Sequence, residues 1–266
     1  MFLPPVPDSF KWITKAGIVA LYCQPLGVVA SHLFTTRQTQ LLTKNDWIRL
    51  AAAVGAQEVL QVIQVHGSSV LVVQPKKPLP SCTSKADVLL SGVSNVSVAV
   101  RSADCAPLLI ADAGSGAVAA VHAGWRGTAA GAATTAVESL QRNFGSNPSD
   151  LIVAIGPCIR PCCYEVGIDV VNAFEAQQHV HPNVRQWFRE TRSLNTTKQL
   201  FSLDLATANF DQLVLAGVPK SQIHIAGLCT AMHLDLFLSF RFEKEMTGRM
   251  AGIIKPSNSV EGQRFT

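Results

Sequence analysis

A chain of 266 residues, 48% hydrophobic and 15% charged, is too apolar for a disordered segment and long enough to bury a substantial core. Its formal net charge is +4, and its basic residues are scattered apart from the doublet Lys76-Lys77 between Pro75 and Pro78. That pattern predicts a solvated loop and no nucleic-acid surface. The weakly polar stretch from Cys105 to Trp125 is broken by Asp112, Gly114-Ser115-Gly116 and His122, so no membrane span is expected. The opening Met1-Phe2-Leu3-Pro4-Pro5 carries no basic segment before an apolar one, which predicts no secretion signal and a cytoplasmic location. Seven cysteines, an odd number, predict reduced thiols or metal thiolates rather than a secreted disulfide framework.

Taken in chain order, short apolar and β-branched runs dominate the first half. Strands are predicted at Gly17–Cys23, Val28–Thr35, Val59–Gln64, Val70–Val73, Val88–Leu90, Val96–Val100, Leu108–Ala111 and Ala117–Val121, with turn-forming clusters between them. Thr43 and Asp46, at capping-box spacing, announce a helix through Trp47, Ile48, Leu50 and Val54 that Gly55 ends. A second helix is predicted from about Thr128 to a stop near Gly145, and a third from Asp204 to Ala216 with Gly217 beyond it. Later strands are expected at Leu151–Ile155, Ile223–Ala226, Leu236–Phe240 and Met250–Ile254. No internal repeat or linker is visible, which predicts one α/β domain over residues 1–266 with helices on the outer faces of its sheets.

Three segments place reactive side chains at strand ends beside Gly or Pro: Gln64-Val65-His66-Gly67, Ser102-Ala103-Asp104-Cys105-Ala106-Pro107, and Val121-His122-Ala123-Gly124-Trp125-Arg126-Gly127-Thr128. Two imidazoles and a thiolate suit zinc, and three protein ligands with an open fourth position are the plan of a catalytic site. The spacing is long and irregular, unlike that of zinc fingers. Taken by themselves, His66 and His122 read better as hydrogen-bonded strand-end residues and Cys105 as a small buried hydrophobe than as metal ligands.

Arg126 stands in a turn entering a helix, where a guanidinium and free N–H groups could hold phosphate; the alternative is a surface ion pair. Tyr164 and Glu165 could supply stacking and proton transfer, or occupy a strand edge. Cys158, Cys162 and Cys163 suggest a second metal, but adjacent cysteines chelate one ion poorly, so packed thiols are expected.

The three segments, in this order, resemble the laccase-like polyphenol oxidoreductase family, whose members are also described as purine nucleoside phosphorylases. The resemblance continues in Ile155-Gly156-Pro157-Cys158-Ile159, Cys162-Cys163-Tyr164-Glu165-Val166, Leu203-Asp204-Leu205 with Ala208-Asn209, Cys229-Thr230, and Ser239-Phe240-Arg241 with Thr247-Gly248-Arg249-Met250. It runs from about Phe34 almost to the C-terminus. It implies an α/β fold, a single-domain layered sandwich of mixed β-sheets flanked by helices, and zinc held by His66, Cys105 and His122.

The activity implied is phosphorolysis of adenosine, inosine or methylthioadenosine, with adenosine deamination as a second reaction and a purine nucleoside and phosphate as partners. On this reading Cys105, His122, Arg126 and Glu165 serve catalysis. Zinc could activate water at the purine C6 or polarise a bound group. Copper is the alternative ion, for oxidation of phenols, although seven histidines are thinly spread for several copper centres. A non-catalytic zinc protein acting through a partner is a further alternative, against which the open fourth position argues. An editing role on cell-wall precursors is neither supported nor excluded, and the oligomeric state is not fixed. The chain departs from the family at Thr35-Thr36-Arg37, which is followed by Gln38-Thr39-Gln40 instead of a Gly-rich turn, leaving the role of Arg37 open.

Overall fold

In a computed structural model that describes residues 3–39, 41–74, 77–177, 182–191, 199–244 and 248–257, two six-stranded sheets stack face to face. The expectations placed on Gln40, on Pro75-Lys76 and on Thr247 lie outside these residues. The first half contributes β1 (Phe10–Lys15), β2 (Ile18–Cys23), α1 (Gln24–Val29), β3 (Ser31–Thr35), α2 (Lys44–Ala53), β4 (Glu58–Leu60), β5 (Val70–Val73), β6 (Val88–Ser91), β7 (Val96–Ser102), β8 (Ala106–Asp112) and β9 (Val118–Ala123). The second half contributes α3 (Trp125–Ala129), α4 (Ala132–Phe144), β10 (Leu151–Ile155), β11 (Glu165–Gly167), α5 (Ile168–Glu175), β12 (Phe188–Thr191), β13 (Leu200–Leu203), α6 (Leu205–Leu215), β14 (Ile223–Ile225), α7 (Phe240–Glu243) and β15 (Met250–Lys255).

One sheet runs β1-β2-β3-β15-β7-β4 and the other β14-β10-β8-β9-β6-β5, while β11-β13-β12 form a small antiparallel sheet. Both large sheets are mixed, because β4 lies parallel to β7, β5 parallel to β6 and β14 parallel to β10 among otherwise antiparallel pairs. The layering follows from strands apolar on both faces. In β8 and β9, Leu108 opposite Val121 and Ile110 opposite Ala119 pack toward Ala136, Val137 and Leu140 of α4 and Leu213 of α6. Leu109 and Ala120, directly opposite each other, face inward and meet Val98, Val100 and Ile254 of the other sheet. The outer face of that other sheet is covered by Trp47, Leu50 and Ala51 of α2. The result is the expected layered α/β sandwich with helices outside.

Several local expectations are met at atomic detail. Thr43 caps α2: its hydroxyl accepts from the Asp46 amide while the Asp46 carboxylate accepts from the Thr43 amide, and Gly55 follows at φ +77°. Asp204 caps α6 by accepting from the Thr207 amide at 3.0 Å.

Others need correction. The helix predicted from Thr128 is two helices, because Gly131 adopts φ +74° between them, a left-handed conformation that breaks α-helical continuity. The strand predicted over Val28–Thr35 begins only at Ser31, because Pro25, near the N-terminus of α1, turns the preceding residues helical. Val59–Gln64 pairs as a strand only to Leu60, beyond which Ile63 makes an isolated bridge to Lys85. No strand forms at Leu236–Phe240: Leu236 and Phe237 are buried, but their amides bond locally to the His233 carbonyl. Apolar character there reflects a loop packed onto the core. No helix among the described residues is long and apolar enough to cross a membrane.

Candidate metal centre

The antiparallel register brings the N-terminal ends of β6 and β8 and the C-terminal end of β9 to one edge of a sheet, with the loop before β5 beside them. Cys105 immediately precedes β8, His122 lies near the end of β9 opposite Pro107, and His66 stands in the loop between β4 and β5. Their ligand atoms all fall within 4.8 Å of one another. His122 is buried, Cys105 half-buried and His66 exposed, so the cluster is open to solvent on one side. The two imidazole rings meet edge to face with centroids 4.8 Å apart.

Asp87, at the mouth of β6, organises this cluster. Its side chain is completely buried and accepts from the amides of Val65, His66 and Gly67 at 3.2, 3.0 and 2.8 Å. It also contacts Nδ1 of His122 at 2.8 Å. A carboxylate on Nδ1 places the proton there and turns Nε2 toward Cys105 as the free donor atom. Burial opposes the charge on Asp87, but these four partners outweigh it and hold the carboxyl below its ordinary range. Burial likewise opposes a thiolate at Cys105, yet the adjacent imidazoles bring the thiol down to about 6. Against its own burial, His122 is raised to about 9 by Cys105 and Asp87. Between those values the pair is a thiolate beside an imidazolium, ready to exchange a proton for a cation.

The backbone is bent to make the site. His66 at φ +62° and Asp104 at φ +86° are left-handed non-glycine residues, each costing about 1–2 kcal/mol. For His66 the amide bond to Asp87 offsets that cost, and Gln64 anchors the same loop by bonding both the amide and the carbonyl of Arg101 at 2.7 and 2.8 Å. Asp104 accepts from the Thr230 hydroxyl at 2.6 Å, the Ser239 hydroxyl at 3.0 Å and the Arg241 amide at 2.7 Å. That fastens the residue before Cys105 to two distant loops. Gly124 completes the fit: a Cβ there would stand 2.7 Å from Cys105 Sγ and 3.4 Å from His66.

The other candidate residues stand outside the three-ligand group. Arg126 is exposed inside the short helix α3; its guanidinium covers the Trp125 ring at 4.2 Å, and among the described residues it forms no ion pair. Tyr164 is buried, with Arg241 over its ring at 5.0 Å; burial and the nearby Cys105 raise its hydroxyl above the ordinary value, so it stays protonated. Glu165 is exposed in β11, where its carbonyl accepts from Arg241 at 2.9 Å. Arg37 is structural in its contacts: it bonds the carbonyls of Leu234 and Phe237 and pairs with Glu243 at 2.9 Å, tying down the loop that reaches Asp104.

Sequence reasoning missed Asp87 and the close approach of Gly124. A lone acid heading the apolar run of β6 is the one signal that Asp87 offered.

Residues 34–257 match the family model described as multi-copper polyphenol oxidoreductase laccase. The chain is 36% identical over 197 residues to "Purine nucleoside phosphorylase YlmD" of Geobacillus stearothermophilus, covering 72% of this chain and 69% of that protein. It is 31% identical over 261 residues to "Purine nucleoside phosphorylase slr1573" of a Synechocystis species, covering 93% and 97%. The crystal structure of the hypothetical protein YfiH from Bacillus licheniformis superposes with a TM-score of 0.80 at 26% identity, covering 94% of this chain and all of that one.

Proposed function

The chain belongs to the multi-copper polyphenol oxidoreductase laccase family, and on that premise we propose that it is a zinc-dependent purine nucleoside phosphorylase with adenosine deaminase activity. The observation that carries this reading is the convergence of His66, Cys105 and His122 within 4.8 Å, with Asp87 on His122. Two nitrogens and a sulfur match the preference of zinc over hard cations, and the open side leaves room for a substrate. The naming of relatives as purine nucleoside phosphorylases supports a purine nucleoside as substrate with phosphate as co-substrate, and within that class adenosine, inosine and methylthioadenosine are the substrates proposed. The reading takes residues 1–266 as one catalytic domain in a cytoplasmic protein.

Bound zinc would supply Lewis acidity beside the purine or the attacking group. The chain supplies the rest. Asp87 fixes the tautomer of His122 and holds its ring toward Cys105. Arg126, pressed on Trp125 and free of carboxylate partners among the described residues, binds phosphate with a planar pair of N–H donors. In phosphorolysis a phosphate oxygen bonds to the sugar C1′ as the bond from C1′ to the base breaks, and the departing purine takes up a proton. Glu165 is assigned that proton transfer, and Tyr164, kept protonated, donates a hydrogen bond to bound substrate. In deamination, water adds at the purine C6 and ammonia leaves, so Arg126 has no part.

A panel of purine nucleosides assayed with and without phosphate, with products resolved by chromatography, tests this reading. Phosphate-dependent release of free base is expected, together with phosphate-independent formation of inosine from adenosine. No turnover of any nucleoside, or oxygen uptake with phenols instead, overturns it.

A further inference from the structure

Next to Thr230, whose hydroxyl bonds Asp104 at 2.6 Å, a second cluster has formed that the proposed reaction does not use. Arg160-Pro161-Cys162-Cys163 is a tight turn closed by the Cys163 amide on the Arg160 carbonyl at 2.9 Å, with Pro in the second position that favours such turns. The turn overcomes the objection that adjacent cysteines chelate poorly, because both sulfurs approach a third from a remote loop. The sulfurs of Cys162, Cys163 and Cys229 all lie within 4.8 Å of one another. The third partner is therefore Cys229 and not Cys158, which is buried, bridges to Cys229 through its backbone and stands outside the three-sulfur group.

We propose that Cys162, Cys163 and Cys229 form a binding site for a soft monovalent d10 cation, held by three sulfurs. The donor set is purely sulfur, which selects soft ions over Mg2+, Ca2+ or Mn2+. Three donors leave zinc one short of its tetrahedral structural site, whereas they complete a trigonal one. Access and rigidity fit as well. Cys162 is exposed and Cys163 half-exposed, giving an ion a way in, while Cys229 is buried. The base is held in place by the Arg160 amide on Cys229 Sγ at 3.4 Å and by Thr230, whose amide bonds the Cys158 carbonyl at 3.1 Å. An entering ion displaces the thiol protons to solvent without any change of oxidation state.

The test uses full-length, anaerobically reduced protein carrying Cys105→Ala, which removes the competing thiolate at the other cluster. Silver(I) is the probe, because it is a soft monovalent d10 ion that is not oxidised to a divalent state in water. Native mass spectrometry should count one tightly held ion, and X-ray absorption at the silver edge should show three sulfur neighbours and no nitrogen. Cys162→Ser and Cys229→Ser should each weaken binding about a hundredfold, whereas Cys82→Ser, an exposed thiol elsewhere, should leave it unchanged. If Cys229→Ser fails to fold, Cys162→Ser decides, since its side chain is exposed. Silver held equally well without Cys162, or held by fewer than three sulfurs, overturns the proposal.

Discussion

Asp87 and His122 are joined twice: carboxylate to Nδ1 at 2.8 Å, and the Asp87 carbonyl to the His122 amide at 2.8 Å. The backbone bond is part of the β6–β9 pairing, so the sheet itself holds the imidazole within reach of its orienting acid. Because the same carboxylate collects the amides on either side of His66, one buried charge sets the positions of two proposed ligands.

Replacing that charge should therefore damage metal binding before it damages the fold. Asp87→Asn retains the size of the side chain but loses acceptor capacity and the charge that supports His122. Zinc affinity should fall about ten- to a hundredfold, as measured by competition with a chromophoric chelator. An unchanged affinity would mean that Asp87 serves only to close the loop at residues 65–67.

Metal-free protein should show the thiolate directly. With Cys105 brought down to about 6, its alkylation by iodoacetamide should be half-maximal near that pH, while ordinary thiols become reactive only near 8.5. The sign follows from the charge pair: lowering the pH through about 6 returns the proton to sulfur and slows the reaction. Added zinc should protect Cys105 above that midpoint, where protons no longer compete for the sulfur. Mass mapping of the modified peptide reads both effects, and a midpoint above 8 would remove His122 as the cause.

Space at Gly124 makes an independent check on the same geometry. The Cβ of Gly124→Ala would meet Cys105 Sγ at 2.7 Å, closer than real Cβ atoms come, so the sulfur must move. Displacement of a reacting centre by roughly 1 Å can cost about a hundredfold in rate. Turnover and zinc content should both drop, with little change in the thermal midpoint. Retained activity would show that the sulfur can shift without loss.

A stability prediction lies away from the site. His32 is buried, accepts from the Cys23 amide at 3.0 Å, contacts the Ala30 carbonyl at 3.1 Å and stacks on Tyr22. Burial lowers it to about 4 from 6.5. In the unfolded chain it takes up a proton as the pH falls below about 6.5, but in the folded chain only near 4. Stability is therefore complete above 6.5 and declines as pH falls to 4, by about 3 kcal/mol at most. Urea melts at several pH values should show a shallower decline for His32→Gln. Parallel declines would assign acid sensitivity to other groups.

Legibility in the sequence followed the range of the interactions. Strands β8 and β9 were readable because burial on both faces writes continuous apolar runs, and α2 because Thr43 and Asp46 cap it within one turn. The short strands β11, β12 and β13 were not, since each is only three or four residues long and β11 pairs with a strand more than thirty residues away. The left-handed Gly131 that splits α3 from α4 reads in the sequence as a small residue tolerable in a helix. At the site, His66, Cys105 and His122 announced themselves by type and position. Asp87 did not, because its role arises from register: only when β6 pairs with β9 does it face His122.

Arg126 carries the last prediction, which separates the two proposed reactions. The weighing of phosphate ligand against surface ion pair shifts once its surroundings are known: the guanidinium is exposed, pressed on Trp125 at 4.2 Å, and has no carboxylate partner among the described residues. Contact with an indole restricts the guanidinium in advance, so less entropy is lost when a phosphate binds. Arg126→Ala should therefore lower phosphate-dependent base release about ten- to a hundredfold, equivalent to about 1.5–3 kcal/mol for a charge-assisted contact. Deamination of adenosine, which consumes water, should keep most of its rate. Arg126→Lys should recover only part of the loss, because an ammonium cannot make the paired contact. Saturation curves in phosphate then locate the effect: a raised KM for phosphate with an unchanged KM for nucleoside is expected. Equal losses in both reactions would instead make Arg126 a support for α3 and leave the phosphate site to be found elsewhere.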